Sequence, residues 1–189
     1  MNDTSIHAAH SDALDTLVAD HRAIEKLFDA FDRAEDRAAD TAATRGALVQ
    51  RACEELAVHT MLEEELLYPA AMQALAADQK TDIEEAFVEH FLVKTLIAKF
   101  ETLKPDDPGF NATFRVMAEM VKHHVEEEES QLFPALRRSS LDRAKLGAQI
   151  AQRKAQLTRK LEAAGSKLVG DMTFVVSPAD SGAERDRGR

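Results

Sequence analysis

The sequence predicts an all-α protein: an up-down-up-down four-helix bundle, then an additional C-terminal helix and a disordered tail. Three observations carry this. Gly (7) and Pro (5) are scarce among 189 residues, while Ala, Leu, Glu, Lys and Arg are common, a composition that favours helix. Apolar residues recur at steps of three and four along four successive segments, which is the period of an amphipathic helix. The order His21, then His59-x3-Glu63, returns as His90, then His124-x3-Glu128. An internal repeat of two αα-hairpins builds a bundle with a pseudo-twofold axis.

Residues 1–11 are polar and read as a flexible N-terminus, with His7 and His10 as bystanders. The bundle is expected over 12–138. Its first helix starts at Ser11 or Asp12, with Ser11 a reasonable N-cap, and runs to about Ala39. Leu14, Leu17, His21, Ile24, Phe28 and Phe31 form its stripe. The second helix spans about Thr44 to Leu75 with Leu48, Ala52, Leu56, His59, Glu63, Leu66 and Ala70 inward. Pro69 lacks an N–H, so this helix should kink or end near it. The third spans about Thr81 to Leu103, with Ile83, Phe87, His90, Lys94 and Ile97 on one face, and stops before the breaker cluster KPDDPG.

The fourth helix spans about Asn111 to Phe133. Phe110, Phe114, Met117, Val121, His124 and Glu128 continue one stripe. His123 and Glu127 therefore lie about 100° around the helix from it. A fifth helix over 139–164 carries a thinner stripe of Leu141, Leu146, Ile150, Leu157 and Leu161, suited to packing across the bundle or to pairing with another subunit. The tail, 165–189, reads as disordered apart from the short apolar piece Met172 to Val176.

The net charge of −10 argues against a nucleic-acid partner, since phosphate binding needs a basic patch. Cys53 is alone, which excludes an internal disulfide and a Cys-based zinc site; it reads as a small buried helical residue in a reducing compartment. With no signal-peptide pattern and no stretch of ~18 apolar residues, the expectation is a soluble cytoplasmic protein without a membrane partner.

Four histidines and two glutamates on core stripes demand an explanation, because a buried carboxylate is costly unless it is paired or binds metal. One His–Glu pair would pass for a structural hydrogen bond. Four helices each offering a core His at a similar depth point instead to a metal. Imidazole and carboxylate without thiolate suit Fe, Mn or Zn. Six ligands exceed one tetrahedral zinc and fit two metals bridged by glutamates, as bundle interiors can hold.

The segments DHRAIEKLF, HTMLEEELLYP, EHFLVK and HHVEEEESQLFP, between Leu14 and Pro134, resemble the hemerythrin-like (HHE cation-binding) family of non-haem di-iron proteins. The resemblance implies two iron ions held by His21, His59, Glu63, His90, His124 and Glu128, with Glu63 and Glu128 bridging. It implies binding of dioxygen, peroxide or nitric oxide, for sensing, storage or stress protection. Its alternatives are catalase-like or nitric-oxide-metabolising activity, or iron storage, delivery and iron-centre repair. Oxygen-carrying members have a second His one turn after the third-helix His; Lys94 stands there in this chain. Lys94 is then a surface residue grazing the core or an ammonium beside the bound ligand. Glu25 is a candidate extra ligand, and Tyr68 reads mainly as packing. Phe28, Leu56, Phe87, Met117 and Val121 are expected to line the open site.

Overall fold

The computed structural model describes residues 12–35 and 41–164. Ser11, His7, His10 and the tail from 165 lie outside the described residues. Among the described residues five long helices follow one another, with a single 3-10 turn, Ala77–Gln79, between the second and third. Helix α1 is Ala13–Glu35. Helix α2 is α-helical over Ala42–Leu62, π-helical over Glu63–Leu67 and α-helical again over Tyr68–Ala74. Helix α3 is Thr81–Lys99. Helix α4 repeats the pattern of α2, with Phe110–Glu127, a π turn Glu128–Leu132, and Phe133–Arg138. Helix α5 is Arg143–Ala164.

Local chemistry explains the ends. Asp12 Oδ1 accepts from the Leu14 N–H at 2.9 Å, so Asp12 caps α1. Thr41 caps α2, its hydroxyl accepting from the Thr44 N–H at 3.2 Å. Helix α3 ends four residues earlier than its pattern predicts, because Glu101 and Thr102 close tighter turns onto the Ala98 and Lys99 carbonyls. Gly109 enters α4 at φ 91°, a left-handed conformation that favours glycine. Asp142 caps α5 through the Lys145 N–H at 3.0 Å.

Neither proline ends its helix. In an α-helix the ring of Pro69 would press on the carbonyl four residues back. Here the preceding turn widens: the Tyr68 N–H reaches back five residues to the Glu63 carbonyl, and the Phe133 N–H does the same to Glu128. Both chains then resume as α-helix, with the proline in the first turn where no N–H is needed.

The apolar core falls into two clusters with the polar residues between them. One gathers Leu14, Leu17, Leu62, Leu67, Tyr68, Ile83, Phe133 and Leu136. The other gathers Ile24, Phe28, Phe31, Leu56, Ile97, Phe110, Phe114 and Val121, with Phe31 and Phe114 rings 4.4 Å apart. Cys53 is buried in the second cluster, and burial pushes its thiol up to about 12, aided by Glu54.

Helix α5 lies on α1 and α2. Leu146, Ile150 and Leu157 are buried in the first cluster. Arg153 grips Glu65 with two bonds of 2.7 and 2.9 Å, and Lys154 pairs with Asp20. The apolar stripe of α5 is thus used inside the chain.

Removing a fully buried aliphatic side chain loses both transfer energy and packing. Ile150→Ala should lower the unfolding free energy by roughly 2–5 kcal/mol in denaturant titration, whereas Val116→Ala, at an exposed position, should stay within about 0.5 kcal/mol. Equal effects would mean that α5 is not part of the cooperative core.

Candidate metal centre

All six predicted residues are buried, and they meet in one place. His21, His59, Glu63 and Glu128 offer donor atoms within 4.8 Å of one another, and so do Glu63, His90 and His124. Glu63 belongs to both groups. Its Oε1 lies 3.3 Å from His59 Nε2 and 3.9 Å from His21 Nε2, while its Oε2 lies 3.3 Å from His90 Nε2. Glu128 Oε2 lies 3.4 Å from His21 Nε2 and 3.7 Å from His124 Nε2. His123 points out toward Glu127, as its register predicts.

The outer nitrogens of the rings are held by a second set of carboxylates. His21 Nδ1 meets Glu129 at 2.8 Å, His90 Nδ1 meets Glu64 at 3.1 Å, and His124 Nδ1 meets Glu89 at 2.7 Å. His59 Nδ1 faces Asp20 at 3.9 Å. Three of these carboxylates carry a cation of their own: Arg22 on Glu129, Lys94 on Glu64 and Lys154 on Asp20. The sequence reading missed this layer, although it repeats as the site does. An acid directly precedes His21 and His90 (Asp20, Glu89), and a second Glu directly follows Glu63 and Glu128 (Glu64, Glu129).

With Nδ1–H donating outward to a carboxylate, a neutral ring turns its Nε2 lone pair inward. His90 and His124 Nε2 then face each other at 3.1 Å. His21 Nε2, both nitrogens of His59, both oxygens of Glu63 and Glu128 Oε2 are buried without a hydrogen-bond partner. A buried cluster made almost wholly of acceptors must be neutralised by cations, either protons or metal. The donor set fits metal: imidazole and carboxylate on four helices, three of the imidazoles braced from behind.

Protons answer the same demand in the metal-free protein. Burial works against a charged His21, yet Glu128 and Glu63 outweigh it and raise the ring to about 10. Burial likewise opposes charge on His90, but Glu63 and Glu64 raise it to about 9. For Glu63, burial favours the neutral acid and is overcome by His59, His21 and His90, which hold it well below the usual carboxylate range.

Tyr68 is a correction. It is fully buried, and its O–H donates to Glu128 Oε1 at 2.9 Å and lies 3.3 Å from His90 Nε2. Burial, then Glu128 and Glu63, push its phenol well above the ordinary value, so it stays protonated as a donor. Its repeat-mate Phe133 instead stacks on His21, with centroids 5.8 Å apart. Lys94 is buried and fixed to Glu64 at 2.5 Å rather than grazing the surface. Glu25 pairs with Arg22 at 2.9 Å on the outside and takes no part in the cluster. Leu56 and Val121 line the small apolar pocket beneath the histidines together with Ile24, Val93 and Val125. Phe28 and Met117 lie elsewhere in the second core cluster, and Phe87 packs edge-on to Tyr68.

Bundle and cluster together define a class: an all-α four-helix protein with a buried His/Glu centre of cation-binding type. Residues 12–136 match the hemerythrin HHE cation-binding domain, and the chain belongs to that family. It is 34% identical over 83 residues to a DNA nickase of Nostoc sp., a match covering 44% of this chain and 23% of that protein. It is 33% identical over 82 residues to an uncharacterized hemerythrin-like protein of Schizosaccharomyces pombe, covering 43% of this chain and 40% of the other. The match thus spans less than half of either relative. The crystal structure of a hemerythrin HHE cation-binding domain-containing protein from Mycobacterium kansasii shares the fold, with TM-score 0.67 at 22% identity over 86% of this chain and 99% of the other.

Metal and protons compete for the same nitrogens, so metal uptake should release protons and tighten as pH rises toward about 9 and about 10, where His90 and His21 lose their protons. The metal-free fold behaves oppositely. His21 and His90 have folded values above their ordinary 6.5, so their stabilisation is complete below that pH and is lost as pH rises through about 9 and about 10. Calorimetry in buffers of different ionisation heat reads the first effect and denaturant titration of the metal-free protein the second. Truncating a bracing carboxylate, as in Glu89→Ala, should weaken metal binding by about 10–100-fold.

Proposed function

We propose that this chain is a non-haem di-iron protein of the hemerythrin-like kind, binding dioxygen or a related small ligand such as peroxide or nitric oxide. His21, His59, Glu63, His90, His124 and Glu128 would hold the pair, with Glu63 and Glu128 shared. The observation that carries this is Glu63, whose two oxygens face different histidine groups. An iron pair, when bound, supplies reversible electron exchange with a small diatomic or peroxide.

The protein's own residues do the rest. The aliphatic walls of Ile24, Leu56, Val93 and Val121 favour small uncharged ligands over ions. Glu64 and Lys94 hold the ring of His90, and Tyr68 holds Glu128. No helix among the described residues is long and apolar enough to cross a membrane, and the net charge of −10 speaks against nucleic acid. The function proposed is sensing, storage or stress protection in the cytoplasm.

A second reading is turnover of peroxide or nitric oxide. Tyr68 favours it, because a buried, protonated phenol beside His90 and Glu128 is a donor poised at the edge of the site.

Protein purified under mild conditions and reconstituted with iron should contain about two irons per chain. His59→Ala and His124→Ala should each lower that content, and His123→Ala should leave it unchanged. A reproducible value near one, or iron lost from the His123 variant alone, would overturn the assignment. Optical spectra of the reduced protein after oxygen, peroxide or nitric oxide identify the ligand, and sustained peroxide consumption marks the second reading.

A further inference from the structure

The outward face of α3 is chemically unlike the rest of the surface. Four large apolar side chains are exposed among the described residues, and three sit on one turn of this helix: Val88 at 60%, Phe91 at 66% and Leu92 at 44%. They lie opposite the buried face formed by Ile83, Ala86, His90, Val93 and Ile97. Steps of three and four extend the stripe at both ends, from Glu84 through Val88, Phe91/Leu92 and Thr95 to Lys99. Thr95 turns its hydroxyl back into the helix, donating to the Phe91 carbonyl at 2.8 Å. Neither Glu84 nor Lys99 has a side-chain ion pair among the described residues. On the other side of the bundle the α1–α2 surface is covered by α5; no described helix does the same for this stripe.

The stripe is self-complementary when reversed. Its N-terminal end is acidic, its centre apolar and its C-terminal end basic. A copy laid antiparallel, with the twofold axis passing between Phe91 and Leu92, sets Phe91 against Leu92, Val88 against Thr95 and Glu84 against Lys99. Antiparallel helix dipoles favour the same orientation. A parallel copy would set Glu84 against Glu84 and Lys99 against Lys99.

We infer that α3 is an isologous docking surface for a second copy of this chain, paired antiparallel about the Phe91–Leu92 turn. One helix face per copy lies at the small end of specific interfaces, so the dimer is reversible and concentration-dependent. The site is untouched by this contact, since the stripe faces away from it.

The full-length, metal-loaded protein, kept reduced, should show a monomer–dimer equilibrium in sedimentation equilibrium. Phe91→Glu should weaken it by at least about tenfold while leaving helix content and metal content unchanged. Glu84→Arg should weaken it by about threefold or more, and adding Lys99→Glu should restore it. A monomer at every concentration, or a dimer indifferent to Phe91→Glu, overturns the surface. A dimer lost with Phe91→Glu but indifferent to Glu84→Arg overturns the antiparallel register.

Discussion

Everything in this molecule answers to one constraint: a knot of hydrogen-bond acceptors sits inside an apolar bundle. Four imidazoles and two carboxylates meet with almost no donors among them. Left bare, such a cluster would push the helices apart. Cations hold it together, as protons on His21 and His90 in the metal-free protein or as bound metal. The apolar clusters on either side shield these charges from water and so strengthen their attraction.

Around the cluster, charge is arranged in shells. Acceptors lie innermost, braced by the carboxylates Glu64, Glu89 and Glu129 and faced by Asp20, and three of these four are neutralised further out by Lys154, Lys94 and Arg22. The π turns belong to the same design. Each begins at a cluster glutamate, so the widened turn that accommodates the proline also sets the path of the helix at the site. Extra residues in a helical turn are common at functional positions for this reason.

The two hairpins repeat, but the site is not symmetric. Where one half has Phe133 stacked on His21 and Glu25 turned to solvent, the other has Tyr68 bonded to Glu128 and Lys94 buried against Glu64. The His90 side is therefore the more polar, and two ions held here would not be equivalent. The outer surfaces differ as well, since the first hairpin is roofed by α5 and the second presents Val88, Phe91 and Leu92.

Periodicity by itself determined the helices, most of their inward stripes and the choice of His124 over His123, because those depend only on residues three and four apart; past Glu63 the π turn shifts the stripe by one residue, burying Leu67 and Ala71 where the pattern gave Leu66 and Ala70. The paired HxxxE motifs carried His59, Glu63, His124 and Glu128 for the same reason, and the core stripes of the first and third helices carried His21 and His90. What tertiary structure alone decided is what crosses between helices. Tyr68 looked like its repeat-mate Phe133 until folding brought it to Glu128, sixty residues away in the chain. Lys94 and Glu25 occupy matched repeat positions, and only the presence of Glu64 on a neighbouring helix draws one inward while Arg22 keeps the other out. A linear pattern assigns a side chain to a face; the partner waiting at that face comes from elsewhere in the chain, and it is the partner that sets the chemistry.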